Sequence, residues 1–151
     1  ESIGMPLVNL GDCKGAANCL KCQDALIKGL GEMMYALNVS SIEKIAVITG
    51  NALGSAYIAL ANKSVYDYVI AWEEARIGML DGEKSALLVY GDQIAKADDK
   101  QKAEKEFAEV YEEKNMSAVV VAEKGYLDNV IDKDFTRQYA IAALQAYINK
   151  R

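Results

Sequence analysis

Three cysteines lie close together in "DCKGAANCLKCQ", residues 12–23: Cys13, Cys19 and Cys22, the last two as a C-x-x-C pair. Thiols so spaced can serve three chemistries. At the start of a helix the positive end of the dipole stabilises thiolate, and Lys21 between the pair adds to it, which is the setting of a redox site. As a structural bridge, Cys13 to Cys19 or Cys22 would close a short loop and pin the chain before the helix. Buried free thiols are the third outcome. A metal is not expected, because structural zinc takes four ligands and the chain has three cysteines and no histidine.

The remaining reactive side chains exclude more than they offer. Without histidine there is no Ser–His–Asp triad and no group that ordinarily titrates near neutrality. Glu73–Glu74, Asp98–Asp99 and Glu112–Glu113 are adjacent pairs that diverge around a helix, so they do not share a proton as a catalytic dyad does. "GNALGSA" carries no G-K-[ST], so it is not a phosphate-binding loop. No catalytic residue is assigned. Gly50 and Gly54 would admit a close backbone, and Tyr57 and Trp72 are the aromatics beside them, so these four are the candidates for packing or ligand contact.

These residues need elements to hold them. Residues 1–18 read as an irregular arm. Residues 22–38 place Leu26, Leu30, Met33, Met34 and Leu37 at helical spacing. Ser40 with Glu43 makes a capping box before the very apolar residues 42–63. Read as a helix, that segment would be central and buried. Ser64 with Asp67 opens a second candidate helix carrying Val65, Val69, Trp72 and Met79, and the Asp81–Gly82 pair reads as its stop. Asp98 with Gln101 caps a strongly charged helix in which Ala103, Phe107, Val110 and Tyr111 form one stripe. A last helix runs from about Asp134 to Lys150, with Phe135, Tyr139, Ala142 and Ala146 on one face and Lys150 and Arg151 at its negative end.

A second reading of the same residues stays open. "KIAVITG" resembles the opening of a short-chain dehydrogenase, whose first strand runs into a glycine-rich turn. The resemblance covers about a dozen residues, lacks the third glycine of G-x-G-x-x-G, and has no acidic residue closing a second strand. The expected fold is therefore a mostly α bundle of about five helices, as one domain over residues 1–151. The alternative is α/β with strands near 44–49, 85–90 and 117–122, where Val119, Val120 and Val121 are consecutive β-branched residues.

Composition narrows the function classes. The chain has 151 residues, 52% of them hydrophobic and 26% charged, which is globular. A net charge of −5 argues against nucleic acid and against an anionic membrane surface. No apolar run is long enough for a transmembrane span. Nine tyrosines against two phenylalanines suit a surface that meets something. The first residues, "ESIGMPLV", lack an initiator methionine, which reads as a removed leader or a trimmed end; a leader would make the protein exported, periplasmic, lumenal or extracellular. The expected function is that of a non-enzymatic structural or assembly protein, a subunit of a homo-oligomer, filament or larger complex, with protein partners and no cofactor. Two other classes are kept: a thiol–disulfide protein using the C-x-x-C pair, and a helical binder of an apolar small molecule or pigment.

Overall fold

The computed structural model describes residues 4–16 and 19–147. Strand β1 (Leu7–Cys13) is followed by helix α1 (Gln23–Val39), strand β2 (Lys44–Leu53) and helix α2 (Gly54–Ala61). Strands β3 (Tyr68–Trp72) and β4 (Arg76–Gly78) come next, then helices α3 (Gly82–Lys96) and α4 (Lys100–Tyr111). A π-helical turn (Glu112–Met116) leads into helix α5 (Ala118–Glu123), strand β5 (Asn129–Ile131), a 3-10 turn (Lys133–Phe135) and helix α6 (Thr136–Tyr147).

The strands form one five-stranded sheet in the order β1-β2-β3-β5, with β4 also paired to β2. Every named pairing is parallel. Along one side of β2, Ile45–Ile48 pair with β3 and Asn51–Leu53 pair with β4. Parallel strands need long crossovers, and helices supply them, so both sheet faces are covered. Ala46, Ile48, Val69 and Ala71 face one way, toward Met34 and Leu37 of α1, Ala61 of α2 and Val121 of α5. Ile45, Val47 and Ile70 face the other way, toward Ala143 and Leu144 of α6.

The helical bundle is thus overturned: the architecture is α/β around a parallel sheet. The physical reason lies in β2. A strand buried on both faces has no alternation, so residues 45–48 are apolar without a period of two and imitate a buried helix. The α/β alternative placed a strand at 44–49, where β2 runs, but residues 85–90 and 118–122 are helical, in α3 and α5. The segment expected as a second capped helix is β3 and β4, and the expected arm contains β1. Asp81–Gly82 does not stop a helix; it starts α3, with Asp81 as N-cap.

Two helices stand where the spacing put them. The α1 stripe, Leu26, Leu30, Met33, Met34 and Leu37, is half-buried throughout. α4 buries Ala103 of its expected stripe and half-buries Phe107 and Tyr111, but it buries Ala108 and leaves Val110 exposed. α6 turns another face inward than expected. Ala143 is buried and Leu144 half-buried, whereas Phe135 and Tyr139 are exposed. Lys150 and Arg151 lie outside the described residues. Among the described residues no helix is long and apolar enough to cross a membrane.

Candidate active site at the carboxyl ends of the strands

In an open parallel sheet the carboxyl ends of the strands and the helix starts that follow them form the natural binding crevice. Here β1, β2 and β4 end together. A cavity of about 210 Å³ opens at that point, lined by Lys14, Gly54, Ser55, Met79, Asp81 and Lys84 among others. Met79 also borders an apolar cavity of about 360 Å³ with Tyr57, Ile58, Ile77, Val121 and Tyr126. A third hollow of about 200 Å³ lies beyond Leu80, against Leu88, Tyr111 and Met116. Together they make a cleft along β4 with an apolar end and a charged end.

The charged end is built by a strand-to-helix turn. Leu53 is extended, and Gly54 has φ +62°, a conformation that favours glycine, so the chain turns sharply into α2. A Cβ on Gly54 would also lie 3.4 Å from the Met79 carbonyl oxygen. No side chain caps this helix. The first N–H groups of a helix have no intrahelical partner, and the dipole makes that end positive. The start of α2 is therefore a set of backbone donors at the cavity, with no side-chain cap from the described residues already on it.

The start of α3 is the opposite case. The Asp81 carboxylate accepts from the Lys84 backbone N–H at 2.8 Å and from the Lys84 ammonium. Hydrogen bonds from the Lys84 side chain, then from its backbone N–H, hold the Asp81 carboxyl below the usual carboxylate range. The same pairing raises the Lys84 ammonium. This helix end is filled by its own cap. The loop after β1 closes the remaining side: Gly15 has φ +102°, and a Cβ there would come 3.6 Å from the Leu53 carbonyl oxygen.

The residues singled out from the sequence separate. Gly54 lines the charged cavity and Tyr57 the apolar one. Burial, then the neighbouring Tyr126, pushes the Tyr57 hydroxyl up. Gly50 sits under Asp12; a Cβ there would meet the Asp12 Cγ at 2.7 Å. Asp12 accepts from the Asn51 N–H at 2.8 Å and from Asn51 Nδ2 at 3.2 Å, which together lower its carboxyl. Trp72 is on the other sheet face with α6, where its Nε1 donates to Thr136 Oγ1 at 2.8 Å. Cys19 and Cys22 are bonded to each other, with Cα atoms 5.3 Å apart, so the bridge does not run from Cys13. Cys13 is free and half-buried, with its Sγ donating to the Gly15 carbonyl at 3.6 Å. Among the described residues no group of three or more acidic, Cys or His side chains is placed to hold a metal ion.

Lys14, Ser55, Met79, Asp81 and Lys84 were not picked out as site residues; Met79 and Asp81 were read only as part of a helix face and its stop. They come from three separate segments, and only the strand ends bring them together. The Asp81-to-Lys84 spacing of a capped helix start was the one local signal available.

Comparison with known proteins gives a consistent result. The family model described as "Carboxyl transferase domain" matches residues 1–151. The 12S subunit of methylmalonyl-CoA carboxyltransferase from Propionibacterium freudenreichii subsp. shermanii is 31% identical over 153 residues, which span 100% of this chain and 29% of that protein. The biotin-dependent acetyl-/propionyl-coenzyme A carboxylase beta5 subunit of Mycobacterium tuberculosis is 30% identical, over 96% of this chain and 28% of that one. The chain thus spans under a third of these relatives. A solved structure of the transcarboxylase 12S hexamer, with methylmalonyl-coenzyme A and methylmalonic acid bound, superposes with a TM-score of 0.88 at 31% identity, covering 98% of this chain and 29% of the other. The β subunit of geranyl-CoA carboxylase from P. aeruginosa shares the fold, with a TM-score of 0.78 at 16% identity, over 95% of this chain and 28% of the other.

These matches overturn the expectation of a non-enzymatic structural protein. They equally displace the thiol–disulfide protein, the helical pigment binder and the short-chain dehydrogenase fragment. The expectation rested on missing catalytic side chains. Missing side chains are weak grounds for excluding an enzyme, because backbone N–H groups can stabilise a developing oxyanion without histidine and without leaving a side-chain motif.

Proposed function

This chain belongs to the carboxyl transferase domain family, and from that premise we propose that it takes part in moving a carboxyl group on or off the acyl carbon of a coenzyme A thioester. The observation that carries the reading is the uncapped start of α2, Gly54–Ala56, at a cavity that adjoins an apolar one.

The chemistry asks for such an arrangement. When a carboxyl group leaves the carbon beside a thioester, the C–C bond breaks and its electron pair moves into the thioester carbonyl. The carbonyl oxygen becomes an enolate oxyanion and the carboxyl departs as carbon dioxide. Running the steps backward adds it. Backbone N–H groups fixed in place stabilise that oxygen without reorganising, and losing one such donor typically costs about 100- to 1,000-fold in rate. Glycine at position 54 lets the oxygen approach the backbone. The apolar cavity beside Tyr57 and Ile58 suits a short acyl group.

Relatives named for methylmalonyl-CoA and propionyl-CoA support a short acyl thioester as the substrate class. The 12S relative is described as a hexamer, and we propose that this chain also works within an assembly. Leu88 of α3 and Met79, 75% and 65% exposed, are available to a partner.

The test is Ser55→Pro. It removes one N–H in the first helical turn, where proline is tolerated. The variant should fold as the parent does but lose the amide-signal shifts that methylmalonyl-CoA produces at Gly54 and Ala56. If methylmalonyl-CoA leaves the α2 start of the parent chain unperturbed, the reading is wrong.

A further inference from the structure

We infer that Lys14 and Lys84 determine specificity at the charged cavity by reading the negative charge of the carboxyl group to be transferred, an inference that rests on the proposed function. The chain as a whole carries a charge of −5 and repels anions. The cavity reverses that locally. Its lining has two cations, Lys14 and Lys84, and one anion, Asp81; the other lining residues, such as Gly15, Leu53, Ser55 and Met79, are uncharged.

The two lysines are not equivalent. Lys84 is tied to Asp81 in the cap of α3. Lys14 forms no ion pair with any described residue; the exposed Asp12, two residues before it, feels its charge, which helps to lower the Asp12 carboxyl. Lys14 is thus the cation of the cavity that no ion pair holds, although Asp12 offsets part of its charge. Lys84 is the second, held where an incoming carboxylate can share it with Asp81. About 210 Å³ accommodates a carboxylate and its neighbouring carbon.

The lysines and the α2 donors act at different stages. As the C–C bond breaks, charge leaves the carboxylate and gathers on the thioester oxygen. A cation beside the carboxylate therefore binds the starting substrate better than the transition state, whereas the α2 donors do the reverse. Removing Lys14 should weaken binding, raising KM, and leave kcat unchanged or slightly higher. A residue that merely supported the fold would not divide its effect in that way.

The experiment uses the full chain, isotopically labelled, titrated with malonate and in parallel with malonamide, which has the same shape and no charge. Malonate should shift the amide signals of Gly15, Gly54 and Ser55, more weakly as salt is added. Its affinity should fall about tenfold in Lys14→Met, and malonamide should have no effect. Lys14→Met breaks no ion pair, so its melting temperature should match the parent; Lys84→Met is read beside it. The inference is overturned if millimolar malonate leaves these signals in place, if malonamide shifts them equally, or if both lysine variants bind malonate like the parent. Methylmalonyl-CoA and propionyl-CoA then separate the two proposals. Malonate binding that depends on Lys14, with no binding of either thioester, keeps the lysines and removes the carboxyl-transfer reading. Binding of both thioesters alike, unchanged in Lys14→Met, keeps that reading and removes the lysines.

Discussion

The Glu112 carboxylate lies against the Cα of Gly82, in the space that any side chain there would need. Gly82 is the first residue of α3, and Glu112 opens the π-helical turn after α4. Glu112 also reaches Arg76 Nε, at the start of β4, at 3.9 Å. One carboxylate therefore joins the end of the α3–α4 pair to the strand that carries the cleft.

Gly82→Ala should accordingly destabilise the protein by about 1–2 kcal/mol, because a methyl group displaces Glu112 and loosens its contact with Arg76. The double variant Gly82→Ala/Glu112→Ala should regain most of that loss, a coupling of about 1 kcal/mol between the two sites. Denaturant midpoints of the four proteins measure it. Additive losses would mean that the two residues do not compete for the space.

Gly54→Ala tests the turn into α2. The positive φ costs a non-glycine residue about 1–2 kcal/mol, and the added Cβ would crowd the Met79 carbonyl. The expected outcome is lower stability together with weaker binding of methylmalonyl-CoA. A variant as stable as the parent would show that the turn does not need glycine.

Much of the helical scaffold was legible and most of the sheet was not, for a physical reason. α1 and α4 lie on the surface, so their apolar stripes show against polar faces and give their period away. β2 and β3 have both faces covered, and Ile45, Ile48, Val69 and Ile70 are fully buried, so the alternation that marks a strand is missing. Val119–Val121 misled in the other direction. Strand preference is worth only a fraction of a kcal/mol per residue, and packing of Ala118 and Val121 on the sheet outweighs it in α5. The site was hidden for the same reason as the sheet. Gly54 was noticed as a small residue, but its role depends on β2 ending one residue earlier, and Lys14, Asp81 and Lys84 become neighbours only where three strands stop.

The cysteines give a prediction that needs no ligand. With Cys19 and Cys22 bonded to each other, the native protein without reductant should take up one equivalent of a thiol reagent, slowly, at the half-buried Cys13. After reduction it should take up three. Peptide mapping identifies the labelled residue. Label at Cys19 or Cys22 before reduction, with Cys13 blocked, would mean that the bridge runs from Cys13 instead.

Asp81 gives the pH dependence. Its carboxyl is held below the ordinary range by the Lys84 side chain and then by the Lys84 N–H. The unfolded chain therefore binds a proton at a higher pH than the folded one. The stability that Asp81 contributes is fully present above the unfolded pKa and disappears as pH falls through the folded value. At neutral pH Asp81→Ala should lose about 1 kcal/mol, the usual cost of deleting a helix N-cap. Asp81→Asn keeps a capping oxygen and gives up only an exposed ion pair with Lys84, so its loss should be a few tenths of a kcal/mol. Urea midpoints taken from neutral pH down into the acid range should show the parent and Asp81→Ala converging below the carboxylate range. Curves that stay parallel to the lowest pH would mean that the Asp81 charge plays no part in holding the start of α3.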